Sequence, residues 1–255
     1  MKTKFISNYV LLELLSHATE KERLSITKLI DSSKSRPYKI RQLQEEISLL
    51  GGHGIVNLFR GEGTGYLDIV DEVADELKIK NIPSYSFKVK YFEEKDILKY
   101  SEDVSKQKGI DYAELVEEKI ILKVLELIYT QLDKDKKIAF DKELVKVAKE
   151  FGNQDIGKLT GGTGLLILGN LGGFATYTFL TSAMSTLSMG VLGFGAYTSA
   201  TTILGVLLGP VGWTALGLGA ILSFTKPDYK KLIPIVTIIG TIRQRIKYES
   251  IQDNK

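Results

Sequence analysis

A glycine-rich turn beside an arginine is the feature of this sequence best suited to bind an anion. Residues 60–65 read Arg-Gly-Glu-Gly-Thr-Gly. A helix that begins after such a turn presents backbone N–H groups and a positive dipole end to a ligand. We expect Arg60, Gly61, Gly63 and His53 to bind a negatively charged group. The alternative is a helix–helix turn that needs glycine for its backbone angles, and in that alternative His53 is a turn residue and not a ligand contact.

A second candidate binding surface alternates aromatic and basic residues. Residues 85–92 read Tyr-Ser-Phe-Lys-Val-Lys-Tyr-Phe. This period of two predicts a short strand with Tyr85 on one face and Lys88 and Lys90 on the other. Nucleic-acid bases stack on such aromatic rings, and lysines contact the phosphates. The pattern is therefore consistent with a nucleotide or oligonucleotide ligand, and also with an edge strand whose lysines face water.

The sequence offers little for catalysis. It has no cysteine and two histidines, which excludes thiol nucleophiles, cysteine zinc sites and a His-rich metal site. The stretch from Gly152 to Lys158 has the glycine–lysine spacing of a phosphate-binding loop. Leu159 stands where that loop needs Ser or Thr, so the magnesium ligand is missing. We expect a non-enzyme with no catalytic residue, metal or cofactor.

One long segment carries no charge. From Leu159 through Thr225 there are 67 residues without Asp, Glu, Lys, Arg or His, and 14 of the 24 glycines lie in it. A membrane-spanning helix needs about 20 apolar residues, which predicts spans near 163–184, 188–208 and 211–225. The alternative is a hairpin buried in the protein's own helical core.

Small residues recur in this segment at the spacing that lets helices pack closely. Two Gly-xxx-Gly pairs occur, which favours close packing between membrane helices. Hydroxyl side chains from the same segment would line a water path through a pore. The predicted packing residues are Gly169, Gly173, Gly205 and Gly209, and the predicted pore-lining residues are Thr178, Ser182, Ser199 and Thr202.

The flanks of the neutral segment predict its topology. Lys158 precedes it, and residues 226–255 hold seven Lys or Arg against three acids. The positive-inside rule places both flanks in the cytosol, which favours two spans over three. We expect a cytosolic sensor domain over 1–158, a membrane region over 159–225 in the bacterial inner membrane, and a basic amphipathic tail over 226–255. The tail would lie at the membrane surface or cap a bundle.

Helical patterns dominate the charged region and predict an all-α fold. Thr19 followed by Glu22 is a capping box that opens a helix. Apolar residues recur at helical spacing over 38–50, 66–77, 112–132 and 138–150.

The stretch from 48 to 80 resembles the YaaW-like family of bacterial proteins. The residues that carry the resemblance are Gly51, Gly52, Ile55, Asn57, Arg60, Gly61 and Tyr66, with softer matches at Leu14–Thr19, Glu117–Ile120 and Gly209–Trp213. The segment 83–108 looks like an insert longer than that family has. The layout of the chain is also similar to membrane effectors of anti-phage systems such as the Hailong effector, whose pores respond to a nucleotide or oligonucleotide signal.

These features together predict a homo-oligomeric membrane effector in anti-phage defence. Its cytosolic domain would sense a nucleotide or oligonucleotide made by a partner nucleotidyltransferase and would gate an ion-conducting pore. Its partners would be membrane lipid and copies of itself. The alternative from a different class is a soluble or peripheral, chaperone-like interaction module with a buried Gly-rich hairpin.

Overall fold

The computed structural model describes residues 2–51, 64–80, 82, 102–152, 161–191 and 229–252. Every regular element in those ranges is an α-helix, which confirms the predicted all-α class. The segment 85–92, predicted as a strand, lies outside them. The helices are α1 Lys2–His17, α2 Glu20–Ile30, α3 Ile40–Leu50, α4 Tyr66–Glu76, α5 Glu102–Gln131, α6 Lys134–Glu150, α7 Gly161–Leu171, α8 Gly173–Val191 and α9 Tyr229–Gln252.

The chain divides into two compact units. Unit 1 comprises Met1–Ile120 with Phe224–Ile239, and unit 2 comprises Ile121–Ser223 with Gly240–Lys255. The division falls within α5 and within α9, so each of these helices contributes one part to each unit.

The start of α2 in unit 1 follows the capping rule that its sequence predicts. Thr19 Oγ1 accepts a hydrogen bond from the Glu22 backbone N–H at 3.3 Å. Glu22 Oε2 accepts one from the Thr19 backbone N–H at 2.8 Å. The predicted capping box is confirmed, and two donors that the helix itself leaves unpaired are satisfied locally.

The core of unit 1 forms where α1 packs on α3 and α4, while α3 also packs on α2 and α4. Leu43 and Ile47 on α3 are one helical turn apart and fully buried, as the apolar spacing predicts. Gly51 ends α3, and Ile69 of α4 occupies the space that a side chain at Gly51 would need. Glycine therefore allows the close approach of α4 to the end of α3.

In unit 2, α7 and α8 both pack on α6 and on each other. The glycines of α7 make this approach possible. A Cβ atom at Gly161 would lie 2.5 Å from the Tyr129 ring, and one at Gly164 would lie 2.6 Å from Leu144 Cδ1. Side chains of neighbouring helices thus touch the backbone of α7 directly, which is what a glycine-rich helix permits.

Aromatic contacts join α6 to α8 within unit 2. Phe140 of α6 is 1% exposed, and its ring centroid lies 4.9 Å from that of Phe179 on α8 in an edge-on arrangement. The Phe140 ring centroid also lies 5.1 Å from that of Tyr129. The first part of the uncharged segment is therefore built into a packed core by the charged helices around it.

The predicted membrane region is wrong. In the part of the chain that the structure describes, no helix is both long and apolar enough to cross a membrane. The 11 residues of α7 extend only about 16 Å, against roughly 30 Å of bilayer hydrocarbon. The first expected span, 163–184, is interrupted at Gly172, whose φ is +93°, and seven of the 19 residues of α8 are Ser or Thr.

This finding overturns the predicted transmembrane helices, the ion channel or pore-forming effector built from them and the inner-membrane localisation. Of the other two expected spans, only residues 188–191 of 188–208 are among the described residues. The span 211–225 lies entirely outside them.

The close packing at Gly161 predicts a stability effect opposite to that of helix propensity. We expect Gly161→Ala to lower the free energy of unfolding by about 1–3 kcal/mol, because the new methyl group overlaps the Tyr129 ring. Helix propensity alone would predict that the same substitution raises the free energy of unfolding by up to about 1 kcal/mol. Urea denaturation followed by circular dichroism measures the difference.

Gly172→Ala is the matched control, because nothing lies within 4 Å of its Cβ position and only its positive φ is strained. Replacing Tyr129 by leucine should relieve the cost of Gly161→Ala and leave that of Gly172→Ala unchanged. A neutral or stabilising Gly161→Ala would contradict the packing.

Candidate functional site

The predicted ligand-binding residues lie outside the described part of the chain. They are Arg60, Gly61, Gly63, His53, Tyr85, Lys88 and Lys90. The structure describes the residues on either side of the segment 52–63, which contains His53, Arg60, Gly61 and Gly63. The Thr64 backbone N–H donates to the Ser48 carbonyl at 2.9 Å, which ties the return of the chain to the end of α3. α4 then begins after Gly65, which caps it without a side-chain hydrogen bond.

The residues predicted to pack helices or line a pore fall partly within the described ranges. A Cβ atom at Gly169 would lie 2.8 Å from Leu122, and one at Gly173 would lie 2.5 Å from the Gln244 amide oxygen. Both glycines therefore sit where another side chain reaches the backbone.

Two of the four hydroxyl candidates, Thr178 and Ser182, lie within the described residues. Ser182 donates to the Glu143 carboxylate of α6. The backbone carbonyl of Thr178 accepts a hydrogen bond from Thr181 Oγ1 at 2.7 Å. The remaining four candidates, Gly205, Gly209, Ser199 and Thr202, lie outside the described residues.

Three tyrosines that donate to carboxylates form a polar network in unit 1 that the sequence analysis missed. Tyr66 donates to Glu117 Oε1 at 2.7 Å, and both residues are buried. On α4, Asp71 accepts from Tyr112 of α5. The signal in the sequence is the acidic stripe of α4 at positions 68, 71, 72, 75 and 76, to which the tyrosine partners are too distant in the chain to be assigned.

A third hydrogen bond brings α9 to the same helix. Tyr229 donates to Glu72 Oε2 at 3.5 Å. Burial, followed by the charge of Glu72 and its acidic neighbours, raises the pKa of Tyr229 to about 12. Burial and the hydrogen bond to Asp71 raise the pKa of Tyr112 well above its usual range.

Because their pKa values are raised above the ordinary value of about 10, the hydroxyls of Tyr112 and Tyr229 stay protonated and keep donating at alkaline pH as well. The three hydrogen bonds connect α4 to α5 and to α9, and α4 starts directly after the predicted anion-binding turn. Within the described ranges, no group of His, Asp or Glu side chains could hold a metal ion.

Unit 2 contains one carboxylate that is poorly solvated. Asp141 Oδ2 accepts from the Tyr129 hydroxyl at 3.2 Å. Oδ1 is buried and has no hydrogen-bond partner in the structure's described ranges. Burial raises the pKa of Asp141, and the Tyr129 hydrogen bond offsets this in part.

A raised pKa in the folded state gives a defined pH dependence. Asp141 favours folding below its unfolded pKa of about 3.9, and this contribution is lost as the pH rises through its folded pKa. We expect Asp141→Asn to raise the free energy of unfolding at pH 7 by roughly 0.5 kcal/mol, a small gain because the side chain is only partly buried. Urea denaturation at pH 4 and pH 7 should show the gain shrinking at pH 4.

Asp133→Asn is the control with the opposite sign. Hydrogen bonds from the Lys136 ammonium and backbone N–H lower the pKa of Asp133 at the start of α6. Its contribution is present above the unfolded pKa and lost as the pH falls, so this substitution should be unfavourable at pH 7. If both substitutions have the same pH profile, burial does not control the charge of Asp141.

The chain is similar over most of its length to proteins of Helicobacter pylori named UPF0174 protein. One from strain 26695 is 25% identical over 218 residues, covering 81% of this chain and 88% of that protein. One from strain J99 is 23% identical over 219 residues, covering 84% of this chain and 74% of that protein. No family model matches the chain, and no solved structure gives a significant match. The comparisons therefore identify UPF0174 proteins as distant homologues of this chain.

Proposed function

We propose that this chain is a non-enzymatic, chaperone-like interaction module that keeps its Gly-rich helices in its own core. The observation that carries the proposal is the packing of α7 and α8 on α6. Gly161 and Gly164 receive Tyr129 and Leu144, and a membrane-resident pair of helices would instead present these small residues to other apolar helices.

The polar groups of α8 support the same proposal. Thr176 is 1% exposed, and its hydroxyl donates to the Gly172 carbonyl at 3.5 Å. Ser182 donates to Glu143, a charged side chain of α6. Hydroxyls that pair with the protein itself are what a helix buried among polar and charged neighbours needs.

A detergent partition experiment tests the location of the Gly-rich helices. Full-length protein is mixed with a cloud-point detergent and warmed, and the two phases are analysed. We expect the protein in the aqueous phase. The matched variant Phe140→Ala, which removes the ring that holds α8 on α6, should move toward the detergent phase. Wild-type protein in the detergent phase would defeat the proposal.

The exposed side of α7 offers a contact for a partner. Leu166 is 71% exposed, the highest value among the large apolar side chains that the structure describes, and Asn170 is exposed one turn further along. Contiguous exposed apolar patches mark sites of protein–protein contact, and Leu166 is the apolar side chain that α7 would contribute to such a patch.

Light scattering of a heat-aggregating test protein measures this activity. We expect the wild-type chain to reduce the scattering and Leu166→Glu to lose most of the effect. Asn170→Glu adds the same charge to the same helix without removing an apolar side chain, so it should behave as wild type. No reduction by the wild-type chain, or equal loss in both variants, would contradict the proposed activity.

Several functional expectations stay predictions. They are a nucleotide or oligonucleotide ligand, its synthesis by a partner nucleotidyltransferase, homo-oligomer formation and a role in anti-phage defence. The resemblances to the YaaW-like family and to the Hailong effector stay predictions with them.

A further inference from the structure

A small cleft opens in unit 2 where α8 begins. Its volume is about 180 Å³. A cavity of roughly 150 Å³ with apolar walls accommodates a benzene molecule. The apolar walls here include Leu171, Phe174 and Tyr248, and the rings of Phe174 and Tyr248 are stacked with centroids 4.5 Å apart. The cleft therefore has the size and lining to take an apolar body no larger than a single ring.

A buried amide without a hydrogen bond lines this cleft. Gln244 is 3% exposed, and no group among the described residues hydrogen-bonds to its side chain. The amide lies against the start of α8, where a Cβ atom at Gly173 would be 2.5 Å from its oxygen and 2.6 Å from its nitrogen. Buried amides in folded proteins almost always have a hydrogen-bond partner. The Gln244 amide can therefore bond to a ligand in the cleft that it lines.

The electrostatics of the cleft favour an anion. Gly172 and Gly173 place the first turn of the 19-residue helix α8 at the cleft, and Gly172 has no side chain to cap it. The N–H groups of a first turn have no partner within their helix, and the helix dipole adds a partial positive charge. Lys247 lines the same cleft, and none of the lining residues that the structure describes is acidic.

We propose that this cleft binds a small organic anion, namely a carboxylate or phosphate group on an apolar body about the size of one ring. The anionic oxygens accept hydrogen bonds from the Gln244 amide N–H₂, the Lys247 ammonium and the first-turn N–H groups of α8. The apolar body lies against Phe174 and Tyr248. Such combined recognition of charge and apolar surface is typical of small-molecule sites.

Calorimetric titration of the full-length protein with four probes tests the site. Benzoate and phenyl phosphate carry the proposed chemistry with different anionic groups, benzamide lacks the charge, and inorganic phosphate lacks the apolar body. We expect benzoate, phenyl phosphate or both to bind. Benzamide and inorganic phosphate should bind at least tenfold more weakly. Which anion binds tighter distinguishes a carboxylate from a phosphate ligand.

Two variants assign the binding to this cleft. Lys247→Met should weaken the preferred anion about tenfold, the effect expected from losing one charged hydrogen bond. Lys230→Met, at an exposed lysine of the same helix, should leave binding unchanged. Gln244→Leu should abolish binding, because it removes the amide N–H₂ group that donates to the anion.

The proposal is overturned if neither anion binds, or if benzamide binds as well as benzoate. It is also overturned if Lys247→Met and Lys230→Met bind equally. Because Lys247 is exposed, its variant should fold and decides the question even if Gln244→Leu does not.

Discussion

Replacing Phe140 by alanine lowers the free energy of unfolding by about 3–5 kcal/mol, the range typical of a fully buried aromatic residue. Phe140 is 1% exposed, and its ring packs against two others. The ring centroids of Tyr129 and Phe179 lie 5.1 Å and 4.9 Å from its own. Each such aromatic pair contributes about 0.5–1.5 kcal/mol beyond the buried area itself. The loss is large because one substitution both opens a cavity and separates α6 from α8.

Phe151→Ala is the matched control for this prediction. Phe151 follows α6 directly, is half-buried, and contacts Phe174 with ring centroids 5.1 Å apart. We expect it to cost less than half as much as Phe140→Ala in urea denaturation followed by circular dichroism. If the two substitutions cost the same, α8 does not depend on Phe140, and the packed core of unit 2 is wrong.

The parts of the fold that local interactions determine could be predicted from the sequence. The capping box of Thr19 and Glu22 involves residues three apart, so its pattern is visible in any window of the chain. The apolar spacing of α3 and α4 likewise predicts which of their faces are buried. For α5, the apolar pattern predicts a helix over 112–132, and the structure extends it back to Glu102, into the segment interpreted as an insert.

The error over the Gly-rich segment has a physical cause. Hydropathy and small-residue spacing describe a helix but not what it packs against, and glycine serves close packing in a membrane and in a protein core alike. The partners of Gly161 and Gly164 are Tyr129 and Leu144, which lie outside the segment. The pattern of residues within the uncharged segment therefore contains no information about these partners.

The tail shows a related limit of periodicity. The basic residues near its end suggest an amphipathic surface helix, whereas residues 232–244 of α9 are all buried. The run 232–242 is uncharged around its whole circumference, and a helix that is apolar on every side is a buried one. The buried Gln244 lies two residues after this run, behind the buried Arg243, so the cleft that it lines could not be inferred from the pattern either.

The hydrogen bond between Tyr66 and Glu117 is the second feature whose loss should be large. The sequence analysis singled out these two residues in separate stretches, 51 residues apart, and the structure joins them at 2.7 Å inside unit 1. Tyr66→Phe removes only the hydroxyl group and leaves the packing of the ring. We expect it to lower the free energy of unfolding by about 2 kcal/mol, since a hydrogen bond to a charged group contributes roughly 1.5–3 kcal/mol.

A double-mutant cycle with Glu117→Gln measures how much of that hydrogen bond depends on the carboxylate charge. The glutamine oxygen still accepts from the tyrosine hydroxyl but carries no charge, so Glu117→Gln alone should cost less than Tyr66→Phe. Combined, the two substitutions should cost less than the sum of their separate costs by at least 1 kcal/mol, as expected for residues in direct contact. Strict additivity would mean that the Tyr66 hydroxyl does not interact with the charge of Glu117. Coupling would instead show that α4, which follows the predicted anion-binding turn, is held in place through a buried carboxylate of α5.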